Sequence, residues 1–469
     1  MRKQITQKIS VFLAVITVLS LCVSAAPARA YDFDPSFILS NDDINDYQSM
    51  NLNEIQSFLS QAGSFLSSYI ATDFDGGNRF ASEIIYNASR LYHINPKWIL
   101  VTLQKEQSLI NSSNPSQGQL DWAMGYAVCD DCSKDDPAIQ KFKGFAKQID
   151  RAAARIRYYQ DNPDRFNYKA GLSTVIDDVF VSIKNMATAI LYNYTPHIHG
   201  NQNFWKIWTG WFAKDYPDGS LVQAEGDKVV WLIQDGTRRA FSSKAALKSY
   251  FGSRKALTVS PADLAHYNLG IAIKYPNYSL VRDTAGNIYL LADNQRRKIA
   301  SKEAFRSLGY NPEEVDDIAD EDLAAYAEGR EITADAKYAL GRLLQDSKTG
   351  GVYYVDETFK YPIVSKDILK NNYPALKITK VKASQLNKYI TAQKIRFKDG
   401  TLVKSKKDKA VYVVSNGSLR LILNEKSFDD LGYNKKDIVS TSPEAISIHP
   451  IGDPIDTTLH SSVLISTNN

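Results

Sequence analysis

The chain has 469 residues, 44% of them hydrophobic and 23% charged, with a formal net charge of +4 and three cysteines. Arg2, Lys3, Lys8 and Arg29 all fall in the first thirty residues, so cleavage after Ala30 leaves 52 of the 56 basic residues against 52 acidic ones. That balance excludes the whole-protein basic field used to bind nucleic acid, and the length predicts more than one core.

The opening MRKQITQK, the apolar run Ile9 to Val23 and the Ala28-Arg29-Ala30 site have the order of a cleaved signal peptide, residues 1–30. The run is short for a bilayer span, so no membrane attachment is expected after cleavage. Leu21 stands before Cys22 where a lipoprotein signal has a small residue. Two cysteines remain, Cys129 and Cys132, and in an exported chain a C-x-x-C pair predicts a local disulfide. A ring that small contributes about 2 kcal/mol and would chiefly shape a loop. The competing reading is a metal site with His197 and His199, but one C-x-x-C with one H-x-H is no standard zinc spacing. No metal or cofactor is therefore expected.

Residues 31–214 read as helical. A helix begins near Met50-Asn51-Leu52 with Ile55, Phe58 and Leu59 on one face, and RFASEIIYNASRLYHINPKWIL reads as two helices joined at Ile94-Asn95-Pro96. Pro96 takes the first helical position of the second. Further helical patterns run over 139–159, about 179–192 and 203–212, the last dense in Phe204, Trp205, Trp208, Trp211 and Phe212. Such density more often seals a core than binds a ligand.

Within PKWILVTLQKEQSLI, Glu106 shares a helical face with Ile99, Leu103 and Ile110. Desolvation on an apolar wall disfavours the charged carboxylate and keeps a proton available, as a glycosidase's general acid requires. The plainer alternative is a Glu projecting to solvent beside Gln104, Lys105 and Gln107.

The order FDPSFILS, MNLNEIQSFL, NPKWILVTLQKEQSLI, DWAMGY and NMATAILYNYTPHIHGNQNFWKIW resembles secreted bacterial lysozyme-superfamily proteins, related to soluble lytic transglycosylases and often carrying C-terminal surface repeats. The resemblance implies an all-α lysozyme-like domain with Glu106 as catalytic acid. It also implies that Ala123-Met124-Gly125-Tyr126 packs behind a cleft, and that Tyr192 and Asn193 face the sugar. One carboxyl suffices for a transglycosylase. A two-carboxylate hydrolase needs a partner, for which Asp121 is the first candidate and Asp130 or Asp131 the next. Aromatic faces and amide edges bind sugars, so Gln104, Trp122, Tyr126, Tyr192, Asn193 and Tyr194 are candidate substrate contacts, with ordinary packing the alternative for each ring. In an extended strand His197 and His199 would point the same way, and His197 would line the cleft end.

The second half repeats. VVWLIQDG, NIYLLADN, GVYYVDET and AVYVVSNG recur at spacings of 58, 64 and 59 residues between Trp231, Tyr289, Tyr353 and Tyr412. Each follows a short strand and runs into a helix, with Ser243, Ser301, Ser365 and Asn424 at the N-cap. The units are set at about 215–276, 277–337, 338–398 and 399–457. Units this small must stack, either in an open row or, preferably, in a propeller-like ring. Arg238, Arg239, Arg296, Arg297, Lys298 and Arg420 follow the hairpins, either as solvated strand faces or as a shared face for anionic wall polymer.

The expected architecture is therefore multidomain α+β: a helical lysozyme-like domain, then four β-rich repeats. The expected function is a secreted peptidoglycan-cleaving muramidase or lytic transglycosylase held at the wall or surface by its repeats. The alternatives are a non-catalytic surface glycan-binding or adhesion protein on the same scaffold, and a structural surface spacer. Peptidoglycan or another wall glycan is the expected partner, and oligomeric state is left open.

Overall fold

The computed structural model describes residues 33–128, 133–336, 338–356, 358–374 and 376–457. The predicted signal peptide and the cysteine pair Cys129 and Cys132 lie outside them. Among the described residues, no helix is long and apolar enough to cross a membrane. The chain is mixed α+β: a mostly helical region over residues 33–212, then four small sheets.

The helical region is built round Pro96–Gln107. Asn95 caps this helix by accepting from Lys97 N at 2.9 Å, Pro96 stands at its start, and Ser108 ends it in the left-handed region. Trp98, Ile99, Leu100, Val101 and Leu103 are each at most 1% exposed, and full burial of such a side chain contributes roughly 1.5–3 kcal/mol. They share one core with Ala81–Tyr92, Phe145–Asp161, Met186–Tyr194 and Ile198–Phe212. Phe204, Trp208 and Phe212 lie in that core, as their density predicts.

Two departures are instructive. Strands Ser173–Ile176 and Val179–Ser182 pair as a hairpin where a helix over 179–192 was expected, and that helix begins only at Met186. Asp177 and Asp178 both take positive φ in the two-residue turn, a hairpin geometry suited to Asp. A second hairpin pairs Ile70–Thr72 with Asn78–Phe80. The region is thus not all-α. The helix expected over 139–159 is likewise divided at Gly144, with φ 115°, into Pro137–Gln140 and Phe145–Asp161.

Each repeat supplies one sheet. In the first, Leu221–Ala224, Val230–Gln234 and Thr237–Ala240 form an antiparallel meander, with Leu257–Val259 parallel to the first strand and Asn268–Leu269 parallel to the third. The second and third sheets repeat the five-strand order, and the fourth has four strands with its last segment attached by single bridges. All four are open sheets. The helix caps fall where expected: Ser243, Ser301, Ser365 and Asn424 accept from Ala246, Ala304, Ile368 and Ser427 N.

Of the basic residues after the hairpins, Arg238 and Arg239 are not a solvated face, whereas Arg296, Arg297 and Arg420 are part-exposed and Lys298 is exposed. Arg238 and Arg239 are 0% and 5% exposed. Arg239, Arg297 and Arg420 each donate through Nε to the carbonyl of Ile271, Arg330 or Asp453, at 3.0, 3.0 and 2.9 Å. Arg238 and Arg296 reach Leu264 and Leu323 carbonyls. The guanidinium ties the last loop of a repeat to its own third strand, bonding carbonyls of a segment that the sheet itself does not pair.

Successive sheets touch. Asn294 bonds Arg239 and Gln234, linking the second sheet to the first, while Arg330 reaches Thr358 of the third. Ile368 packs with Phe397, Val403 and Val414 between third and fourth. Leu402, Val413 and Phe428 of the fourth share a core with Val222 and Trp231 of the first. The helical region docks on the first sheet at the helix Pro261–Ala265: Ala262 enters the helical core, and Ser260 Oγ meets Asp43 Oδ2 at 2.6 Å.

Candidate functional site

The last turn of Pro96–Gln107 emerges from the core. Thr102 and Leu103 are buried, whereas Gln104 to Gln107 are part-exposed. The Glu106 side chain is 24% exposed, and Lys105 Nζ lies 2.7 Å from its Oε1. The same ammonium donates to Thr195 Oγ1 at 2.8 Å. The apolar wall inferred from helical spacing is therefore corrected: the carboxylate faces an ammonium on one side and a partly open surface on the other. The cause is local: the helix ends one residue later, and its last four residues are part-exposed where it leaves the core.

Gly125 lies directly against this carboxylate. A Cβ there would stand 2.8 Å from Glu106 Oε2, and Gly125 has φ +65°. The absence of a side chain holds the space beside the second carboxylate oxygen. Tyr194 closes another side: its hydroxyl donates to Met124 O at 2.9 Å, and its ring meets Trp98 edge-on at 5.4 Å. Burial first, then the Glu106 charge, pushes its phenol well above the ordinary tyrosine range.

The other predicted sugar contacts are turned inward. Trp122 is 4% exposed and Tyr192 0%, so neither ring offers a face to a ligand. Tyr192 donates to Pro35 O at 2.9 Å. Asn193 spends both ends of its amide on the backbone of Tyr168. Gln104 Oε1 accepts from Ile110 and Asn111 N, closing the turn after the helix. These four residues are structural because each satisfies a backbone group, or fills core space, around the emerging helix end. Tyr126 is half-buried against Phe142, and its backbone is held by Gln148.

Asp121 is bonded elsewhere, accepting from Gln117 Nε2 at 3.0 Å and lying 3.4 Å from Lys143 Nζ. The nearest polar partners of Glu106 are Lys105 and, through it, Thr195, which residue-type reasoning did not single out. Lys105 was visible only as a sequence neighbour, and Thr195 comes from a helix end ninety residues away. His197 is exposed and pairs through Nδ1 with Asp177 Oδ1 at 3.0 Å. Asp177 also accepts from Ile198 N at 2.7 Å, so the hairpin turn caps Ile198–Phe212. His199 lies in that helix and not in a strand, which removes the shared direction expected of the two imidazoles. Among the described residues, no group of three or more His, Cys, Asp or Glu is placed to hold a metal ion.

Residues 38–215 match the family described as LasA, N-terminal domain. That stretch is nearly the one on which the lysozyme-superfamily resemblance rests, and the family returned for it is a different one. No curated protein matches the chain. Among solved structures, a chain of "Structure of the periplasmic assembly from the ESX-5 inner membrane complex, C1 model" aligns at 10% identity over 55% of this chain and 97% of its own, with a TM-score of 0.13. A chain of "Structure of an intact ESX-5 inner membrane complex, Composite C3 model" gives 10% identity, 55% and 84% coverage and the same TM-score of 0.13. At such TM-scores neither informs the fold.

Proposed function

We propose that this is a secreted, cell-wall-acting protein in which the helical region, taken as 31–214, cleaves the glycan strands of peptidoglycan with Glu106 as its single acid–base group. The four repeats, taken with the boundaries read from the sequence, hold it at the wall. The likeness of 38–215 to the LasA N-terminal domain supports the compartment and the wall. The observation that carries the chemistry is one carboxylate at the end of a buried helix, 24% exposed, paired at Oε1 with Lys105 and packed at Oε2 against the backbone of Gly125.

In this reading Glu106 gives its proton to the glycosidic oxygen as the C1–O bond breaks and positive charge develops at C1. The carboxylate then left beside Lys105 takes a proton from a sugar hydroxyl, whose oxygen closes on C1; water in its place gives hydrolysis. Lys105 stabilises the anion and holds its direction. The contacts from first sheet to second, second to third, third to fourth and fourth to first favour a closed ring of repeats over an open row.

Digestion of purified sacculi followed by mass spectrometry of soluble muropeptides tests this. Anhydro ends identify transglycosylation and reducing ends hydrolysis, and Glu106→Gln is expected to lower release by at least about a hundredfold. Equal release by the variant removes Glu106 from the mechanism. A second reading is a surface protein without turnover that holds glycan elsewhere than beside Glu106, since Trp122, Tyr192, Asn193 and Gln104 are committed inward. It predicts retention on sacculi and no soluble product from either protein.

A further inference from the structure

A second site lies away from Glu106. Between the helical region and the first two sheets runs a groove of about 1240 Å³, larger than the roughly 300–1,000 Å³ usual for small-molecule pockets and suited to an extended ligand. One wall carries Phe33, Phe37 and Trp205, with Phe33 edge-on to Trp205 at 5.8 Å. The lining also includes the turn 225–229 of the first sheet, against which Phe37 packs, 3.5 Å from where a Cβ on Gly226 would be.

The lining holds five carboxylates and two ammonium groups. Both ammonium groups are already engaged, Lys184 with Asp34 and Lys274 with Asp322, each at 2.8 Å. Glu225 has no ion-pair partner among the described residues and faces negative neighbours: burial, then Asp42 and Asp43, raises its carboxyl above the ordinary range. A groove whose lining combines aromatic rings with more carboxylates than ammonium groups complements a ligand that is extended and cationic.

We propose that this groove binds a glycan strand carrying free amino groups, that is, de-N-acetylated amino-sugar units whose C–H faces lie on Trp205 and Phe33 while an ammonium meets Glu225. Aromatic rings attract the C–H faces of a pyranose, and an ammonium in a carboxylate-lined groove gains a charge-assisted hydrogen bond that an acetamide does not. The proposal takes its choice of polymer from the wall-acting reading but needs no turnover at Glu106.

The test is calorimetric titration of the full mature chain with a β-1,4-linked glucosamine hexamer, its fully N-acetylated counterpart and hexalysine, at low and high salt. The glucosamine hexamer is expected to bind at least about tenfold more tightly than the acetylated one, to weaken with salt, and to lose about tenfold in Glu225→Gln. Glu313→Gln, an exposed carboxylate outside the groove lining, is expected to bind as the wild type does, and muropeptide release by the wild type measured in parallel separates failure here from failure of the catalytic reading. Equal affinity for both sugars, tighter binding of hexalysine, no binding, or an unchanged Glu225→Gln with intact melting behaviour would each overturn it.

Discussion

The two halves of the molecule handle buried polar groups in opposite ways. In the repeats, the same device recurs: the loop that closes each unit leaves carbonyls unpaired by the sheet, and Arg239, Arg297 and Arg420 reach them at matching positions. In the helical region the polar network round Glu106 occurs once, joining the end of one helix to Thr195 and Gly125 from distant parts of the chain. A device that recurs with the period of the fold serves the fold. A device that occurs once, opens to the surface and leaves space beside a carboxylate is where chemistry is to be sought. The contrast also explains why Arg238 and Arg239, buried at positions that recur with the repeat, serve the fold.

The contrast breaks most severely where sheets meet. Gly219 and Gly400 abut across the junction of first and fourth sheets: a Cβ on Gly400 would stand 2.2 Å from Gly219 O, at φ +76°. Backbone cannot yield as a flexible side chain does, so Gly400→Ala should cost about 3 kcal/mol or more. Gly432, at φ +69° with nothing within 4 Å and followed by the Tyr433 N to Phe428 O bond of a left-handed helix cap, is the control; Gly432→Ala should cost only about 1 kcal/mol. Urea titrations of both variants measure the difference, and equal midpoints would mean that the two sheets are not in contact in solution.

Next in size is the junction between halves. Asp263 is 4% exposed and accepts from Lys214 N at 2.9 Å and Tyr216 Oη at 3.1 Å. Burial, partly countered by Lys214 and reinforced by Asp43, pushes its carboxyl up to about 6. The folded protein therefore holds this proton more tightly than the unfolded chain, where an Asp titrates near 3.9. The contribution is fully present below the unfolded value and is lost as pH rises through about 6. Two units bound it at about 3 kcal/mol. Melting temperature should thus gain a component on going from pH 7.5 to 5 that Asp263→Asn abolishes. An unchanged pH slope in the variant would assign the effect to other groups.

Much of the repeat architecture is legible in the sequence, because a fold copied four times displays its strand, turn and cap residues at constant spacing. The aromatic strand positions and all four caps were fixed this way. The Pro96 helix was equally legible, through Asn95, Pro96 and an unbroken apolar pattern. The hairpin 173–182 was not: Val175, Val179 and Phe180 stay exposed, so its strands lack the one-sided burial that makes alternation readable. The surroundings of Glu106 were hidden for another reason. Helical spacing gave its face but not the point at which the helix leaves the core, and Thr195 and Gly125 reach it only through tertiary folding. Trp122, Tyr192 and Asn193 carried sugar-binding chemistry by residue type, yet the core and the backbone of Tyr168 had prior use for them.

At the single site, the informative change is Gly125→Ala. The added methyl presses on Glu106 Oε2 at 2.8 Å, and a carboxylate end can move where a backbone cannot. Stability should fall by about 1–2 kcal/mol, mostly from the positive φ. Muropeptide release should fall by about tenfold to a hundredfold, since small displacement of a catalytic group is costly. Release unchanged at equal melting loss would show that the open side of the carboxylate is not where substrate enters.

The smallest effects test whether the repeats are equivalent. Ser243, Ser301 and Ser365 each accept one backbone N–H, at 3.0, 3.2 and 3.1 Å, so loss of the cap should cost about 1 kcal/mol at each. Asn424 accepts from Ser427 N at 2.7 Å and also donates to Asp456 Oδ1 at 3.3 Å, tying its helix to the last described segment of the chain. Asn424→Ala removes both links and should cost more than Ser243→Ala or Ser301→Ala, whereas Asn424→Ser keeps the cap, loses the tie and should fall between; Ser365, which also accepts from Thr441 Oγ1 at 3.4 Å, should rank with Asn424. Chemical denaturation of the five variants orders them. Identical losses would mean that the Asp456 tie contributes nothing, and that the fourth sheet is closed by its single bridges and its packing alone.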